Sequence, residues 1–373
     1  MSKEGIHMLK AGRTNGGARR LRSSRTTLRA VTALAGVLAL AACGSTPPAE
    51  DASADSGRES TETISMKVGA YPGLFVSLPL WVAADQGMFE DHHLDVELIT
   101  VTSGPNMISA AASNSIDVMQ NGATITAVTN SKGQDFRLIA PTVPQSIYNM
   151  FGTNEVLEGC EFADKPYPEP LKCAEGKRIG VVALASESYV VALSVLGEVG
   201  LTEKDVTFVP AGAGPAIVQS MQADQIDFAF AEDTATAFAV DSLKIAQPVV
   251  DLKENGTFSE WIGNGLFALQ ANLDADPEKF SRFAAAIDEA NAWIEDPANR
   301  DAATAIYKKN SPTLDDTTAA AIMDLVPGYF GSEVSCQSIE NIAEWLEATG
   351  QVEAGSLSDD CSDLVWDETV KLS

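Results

Sequence analysis

From Met66 to Ala231 the chain repeats one unit, an apolar run, a loop of small residues and then a helical run, and that repetition leaves few folds open. Met66 to Ala70 (MKVGA) has the character of a buried strand, Tyr71 to Ser77 (YPGLFVS) of a glycine-containing loop, and Leu78 to Phe89 (LPLWVAADQGMF) of a helix. Leu94 to Val101 (LDVELITV) alternates as a strand does. Ser103-Gly104-Pro105-Asn106 opens a helix, with proline placed early, where its missing N–H costs little. Ile116 to Met119 is a short strand, Asn121-Gly122-Ala123-Thr124 turns into another helix, and Phe136 to Ala140 is the next strand. Strand, loop and helix in that order predict a parallel sheet with helices on both faces.

Ile147 to Thr153 reads as a long crossing strand, after which the alternation restarts. Arg178 to Val182 (RIGVV) is a strand, Ser186 to Val199 a helix, and Val206 to Val209 a strand; Gly214-Pro215 starts a helix and Ile226 to Ala231 (IDFAFA) is a strand. From Asn264 to Ala271 (NGLFALQA) the chain crosses again, and the remainder is largely helical. The expectation is an α/β protein of two lobes, each a mostly parallel sheet flanked by helices, joined by two crossing segments. The first lobe would take residues 64–148 and 266–373, the second 149–265. In open parallel sheets ligands sit beyond the carboxyl ends of the strands, and here those ends would face each other across a cleft.

The N-terminus carries a different instruction. Arg13, Arg19, Arg20, Arg22, Arg25 and Arg29 precede an apolar run that opens at Ala30-Val31 and closes on Leu40-Ala41-Ala42-Cys43. The apolar core is about 13 residues long, too short for a spanning helix of roughly 20. The order resembles a bacterial lipoprotein signal, residues 1–42, which implies cleavage before Cys43 and acylation there. Two or more acyl chains anchor a protein stably at a membrane, so an extracytoplasmic, lipid-anchored location at the cell membrane is expected. Residues 43–63 are rich in Ser, Pro, Ala, Asp and Glu and predict a disordered stalk.

Of 25 basic and 52 acidic residues, eight basic and one acidic precede Cys43, leaving 17 against 51. Such a surface repels nucleic acid. With three histidines, of which His92 and His93 are adjacent, a His-rich metal site is not expected, and no cofactor is implied. Four cysteines follow Cys43, an even number in an exported chain, and three pairings are open. Cys160 with Cys173 and Cys336 with Cys361 is preferred, because each pair brackets a Pro-, Gly- or Asp-rich insertion.

Four stretches together resemble a known family: KVGAYPGLFVSLPLWVAADQGMFEDHHLDVELI (Lys67 to Ile99), SGPNMISAAASNSIDVMQNGATITAV (Ser103 to Val128), GKRIGVVALASESYVVALSVLGEVGL (Gly176 to Leu201) and VQSMQADQIDFAFAED (Val218 to Asp233). Their series is similar to the solute-binding proteins of ABC importers for nitrate, sulfonates and taurine, a superfamily that includes proteins dealing with the thiamine pyrimidine. The resemblance, from Met66 to about Ala305, implies the two-lobed type II periplasmic-binding-protein fold. It implies a small-molecule solute and permease subunits as partners, and a monomer free to open its cleft. His93 stands where related chains have glycine and is read as a left-handed helix cap.

Carried over by position, the family's binding loops fall on Tyr71–Ser77, Ser103–Asn106, Asn121–Thr124, Ser186–Tyr189, Ala211–Gly214, Glu232–Thr234 and Trp261–Asn264. The side chains expected to meet ligand are Tyr71, Phe75, Ser77, Ser103, Asn106, Asn121, Thr124, Ser186, Glu187, Tyr189, Glu232, Asp233, Thr234 and Trp261. For Ser103, Ser186 or Thr234 taken singly, N-capping explains the residue type as well. These segments hold no Arg or Lys but do hold Glu187, Glu232 and Asp233. A neutral or cationic nitrogenous ring, stacked on an aromatic side chain and bonded to a carboxylate, fits better than an anion. A sulfonate, nitrate or taurine ligand remains the alternative in the same importer class. Outside that class stand a sensor lipoprotein and a pyrimidine-synthesis-like enzyme; the enzyme is disfavoured because no His, activated Cys or phosphate-binding motif falls near the cleft.

Overall fold

The computed structural model describes residues 62–372, apart from 255–257, 259, 359 and 367. Cys43, the signal and nearly all of the stalk lie outside the described residues. Ten strands build two five-stranded sheets. The first sheet contains β1 (Ile64–Ala70), β2 (Leu94–Thr100), β3 (Val118–Asn121) and β4 (Phe136–Val143). The second contains β5 (Tyr148–Thr153), β6 (Arg178–Val181), β7 (Thr207–Pro210), β8 (Phe228–Glu232) and β9 (Ala246–Asp251), and β10 (Asn264–Leu269) returns to the first. The spatial orders are β2-β1-β3-β10-β4 and β7-β6-β8-β5-β9.

The parallel pairs are those the alternation predicts, β1 with β2 and β3, and β6 with β7 and β8. The two segments read as crossings are corrected. Tyr148–Thr153 is an antiparallel strand between β8 and β9, and Asn264–Leu269 an antiparallel strand between β3 and β4. Each lies within one sheet, and the chain passes between lobes in the short stretches just before them. Their composition explains the misreading, since NGLFAL is apolar on both faces, as an interior strand must be.

The two lobes repeat the same local devices. Asp117, at the foot of β3, accepts the Lys67 backbone N–H at 2.7 Å, and Asp227, at the foot of β8, accepts that of Arg178 at 2.8 Å. The preceding Ile116 and Ile226 are buried, and each lies beneath a glycine of the neighbouring strand, Gly69 or Gly180. Asn114 and Asp224 both take φ of 54° where the preceding helix ends, a conformation that Asn and Asp tolerate better than most side chains. The Ser77 and Ser188 hydroxyls accept the backbone N–H of Tyr71 (3.2 Å) and Val182 (3.0 Å), closing the loops after β1 and β6. His93 has φ of 57°, the left-handed geometry expected of it.

Both disulfides are the expected ones, Cys160–Cys173 (Cα–Cα 5.7 Å) and Cys336–Cys361 (Cα–Cα 5.4 Å). The first staples the insertion whose turn, Glu169–Ala174, packs on the edge strand β9. The second ties the helix Cys336–Ala348 to the tail, which lies along β4, with Leu138 N–H on the Leu364 carbonyl at 2.7 Å and Trp366 N–H on the Leu138 carbonyl at 2.9 Å.

A Cβ at Gly180 would lie 2.5 Å from Ile226 Cδ1 and 3.2 Å from Ile217 Cγ1. Gly180→Ala should therefore cost about 1–3 kcal/mol through overpacking, read as a lower urea midpoint at unchanged m-value. An unchanged midpoint would show that the helix over this strand has slack to move away.

Candidate functional site

Four parallel strands end at one place. Tyr71 follows β1, Asn121 ends β3, Val182 follows β6 and Glu232 ends β8, and all four line one cavity of about 50 Å³. A water occupies roughly 10–15 Å³ on this measure, so in this conformation the lobes are closed down to space for a few small groups. From the first lobe come Tyr71, Leu74, Val76, Gly104, Asn121, Gly122 and Asn264; from the second, Ile147, Tyr148, Val182, Ser186, Glu187, Ser188 and Glu232. No Arg, Lys or His is among them. Among the described residues no cluster of three His, Cys, Asp or Glu is placed to hold a metal.

Glu187 links the lobes. It is the first residue of the helix Glu187–Gly197, set there by the loop in which Ala185 has φ of 60° and Ser186 bonds the Ala183 carbonyl at 2.6 Å. Its carboxyl crosses to the start of the helix Ala123–Asn130 and takes hydrogen bonds from the Thr124 hydroxyl and backbone. The approach depends on Gly122, because a Cβ there would fall inside the Glu187 carboxyl. Trp261 Nε1–H donates to Thr124 Oγ1 at 3.2 Å, which orients the hydroxyl. Burial pushes the Glu187 carboxyl up to about 8, against the pull of the Thr124 bonds.

Glu232 accepts Gly214 N–H at 2.7 Å and the Thr234 hydroxyl at 3.4 Å, and burial raises its pKa. Asn121 Oδ1 accepts both Tyr71 O–H (3.2 Å) and Gly122 N–H (3.1 Å). That leaves Asn121 Nδ2 buried without a partner, and Glu187 Oε1 is in the same condition. Tyr71 and Tyr148 hold their phenolic protons firmly, because burial and then the neighbouring Glu187 raise both pKa values. Tyr148 stacks on Phe230 with ring centres 5.8 Å apart.

Of the side chains expected to meet ligand, the structure brings Tyr71, Asn121, Ser186, Glu187 and Glu232 to the cavity wall. The others lie elsewhere. Phe75 is core, its ring 5.1–5.2 Å from Tyr307, Tyr329 and Phe330. Ser77 is held behind the wall by Gln120 Oε1 at 2.5 Å. Trp261 packs between Phe258 and Trp345 and reaches the site only through Thr124. Asp233 is committed to Lys253 at 3.1 Å and to Asn149 Nδ2 at 2.6 Å; burial nonetheless holds its pKa up. Thr234 bonds Glu232, and Tyr189 turns its edge to Phe208, 4.9 Å away. Ser103 and Asn106 sit on the outer side of their turn, where only Gly104 reaches the cavity. The capping explanation also fails, since neither Ser103 nor Ser186 caps its helix by side chain and Thr234 lies inside one.

The expected loops missed Ile147, Tyr148 and Val182, whereas Leu74 and Ser188 lie inside those loops without having been singled out. Tyr148 had a signal in the Pro144-Gln145-Ser146 stretch before it, which ends one lobe and delivers the next residue to the cleft.

The sequence profile of the NMT1/THI5-like family matches residues 75–299. Among curated protein sequences none matches. Among solved structures, a protein of Bordetella bronchiseptica RB50 is 22% identical with a TM-score of 0.68, covering 79% of this chain and 94% of that one. The alkanesulfonate-binding protein SsuA of Xanthomonas axonopodis pv. citri, bound to MOPS, is 16% identical with a TM-score of 0.62, covering 84% and 99%. The periplasmic nitrate-binding protein NrtA of Synechocystis PCC 6803 is 14% identical with a TM-score of 0.63, covering 79% and 83%. At these identities the likeness is one of fold, the two-lobed periplasmic-binding-protein fold.

The raised Glu187 pKa gives a pH dependence of defined sign. Its folded value, about 8, lies above the ordinary 4.5, so the fold favours the protonated acid. That contribution is complete below about 4.5 and is lost as pH rises through about 8. Wild type should lose stability relative to Glu187→Gln across this window, by an amount on the order of a few kcal/mol, read from paired unfolding curves. Parallel curves would place Glu187 in water.

Proposed function

Because the chain belongs to the NMT1/THI5-like family, we propose that it is the solute-binding lipoprotein of an ABC importer, anchored through Cys43, and that its cleft takes a small nitrogenous ring compound, neutral or cationic. The observation that carries this reading is the cavity wall, which presents the Glu187 and Glu232 carboxyls and the Tyr71 and Tyr148 rings with no basic side chain. A flat ring fits against phenol faces. Its N–H or amino groups would meet Glu187 Oε1, and a ring nitrogen or carbonyl would meet Asn121 Nδ2, the two buried atoms without partners. Closure of the lobes on such a solute supplies contacts the open form lacks, and that difference is what a permease can recognise.

Two structural neighbours, an alkanesulfonate-binding protein bound to MOPS and a nitrate-binding protein, favour an anion instead. Against it stands a buried wall with no basic side chain to pair an anion that has given up its water. We read the protein as a binder, not an enzyme, because the wall offers no His or Cys for general-base or nucleophilic work.

Thermal unfolding of the soluble form lacking Cys43, against thiamine-pyrimidine compounds, riboflavin, other heterocycles, amines, taurine, sulfonates and nitrate, tests the reading. Ligand at a thousandfold over its dissociation constant stabilises by about 4 kcal/mol. A shift with heterocycles or amines is expected. A shift with sulfonates or nitrate alone would overturn the ligand class and keep the binder.

A further inference from the structure

The helix Ala123–Asn130 begins without a side-chain cap of its own. A helix start gathers unpaired N–H groups and the positive end of the helix dipole, and so attracts a negative group. In this protein the acceptor comes from the other lobe, as the Glu187 carboxyl seated on Thr124 and against the bare Cα of Gly122. Two observations mark the place as a ligand subsite and not only a cap. Asn121 Nδ2 and Glu187 Oε1 have no partner on residues that are 2% and 5% exposed, and both residues line the cavity.

We propose that Glu187 is a tethered acid filling the first lobe's anion subsite, and that this occupation is what excludes free anions from the cleft. The inference rests on reading the cleft as a solute site. The exclusion is first one of volume, because the carboxyl occupies the space a Cβ at Gly122 would take. It is then one of desolvation and hydrogen bonding. A sulfonate or nitrate would have to give up water for a site whose Thr124 donors are already taken by Glu187 and whose Tyr71 hydroxyl is already donated to Asn121, with no cation in the wall. A solute with an N–H or amino group meets the same acid as a partner. Glu187 is therefore a selectivity residue, and removing it should convert the cleft toward anion binding, with the Thr124 donors and Asn121 Nδ2 open to the anion and the space over Gly122 freed for it.

The test compares the full chain with Glu187→Ser and Glu187→Gln, using sodium methanesulfonate and sodium nitrate against sodium chloride at matched ionic strength. Glu187→Ser should acquire saturable binding of one of these anions, with affinity on the order of tenfold or more above wild type. Glu187→Gln, which keeps the volume filled, should not. A folded Glu187→Ser chain, by circular dichroism, that gains no affinity overturns the inference. So does saturable binding of either anion by wild type over the sodium chloride control, a result that needs no variant at all. The heterocycle and amine panel on wild type is scored separately. Its failure would remove the proposed ligand class while leaving the anion gain of Glu187→Ser standing or falling by itself.

Discussion

Each sheet is pinned at one point, where an aspartate at the foot of one strand accepts the backbone N–H of its neighbour. Asp117 does this for Lys67 and Asp227 for Arg178, each next to an isoleucine buried under a strand glycine. A one-residue slip would turn every side chain of the strand to the wrong face, so the register set at the foot also fixes what stands at the top. Asn121 and Glu232 end those same strands, and Tyr71 and Val182 follow the strands they pair with. The site is thus built at a distance, by contacts that never touch it.

The architecture was readable because α/β alternation and Gly-Pro helix starts are local signals, and they recur in both halves. The antiparallel strands were not. Tyr148–Thr153 and Asn264–Leu269 have the same apolar character whether they traverse a gap or fill the interior of a sheet, and only their partners decide. The site was legible by segment and poorly by side chain. Six of the seven expected loops reach the cavity wall because strand ends converge by topology, while Ala211–Gly214 reaches it only through the Gly214 N–H on Glu232. Phe75 and Trp261 went astray because an aromatic beside a cleft can turn toward solvent or core, and here each finds two or more rings behind it. Asp233 misled for another reason, since its cation, Lys253, lies far along the chain.

Glu187 shows how a residue's role emerges only between lobes. Alone it is an acidic first-turn residue of the kind that stabilises many helices. Across the gap it completes a different helix, and that second contact requires that position 122 carry no side chain. The binding face is therefore a joint property of two loops, one from each lobe. Substitutions at Gly122 and Glu187 cannot be weighed independently, because they share one volume.

The return of β10 governs the order in which the protein can assemble. The strands of the second sheet, β5 to β9, are contiguous in the chain, so that lobe can complete its sheet as soon as residue 251 is available. The first sheet cannot, because its fourth strand in space begins at Asn264, after the whole second lobe has been made. A chain emerging N-terminus first holds β3 and β4 apart, with a strand-wide gap and unsatisfied edges, until the later segment arrives. The lobe that is first in sequence is thus the last to close.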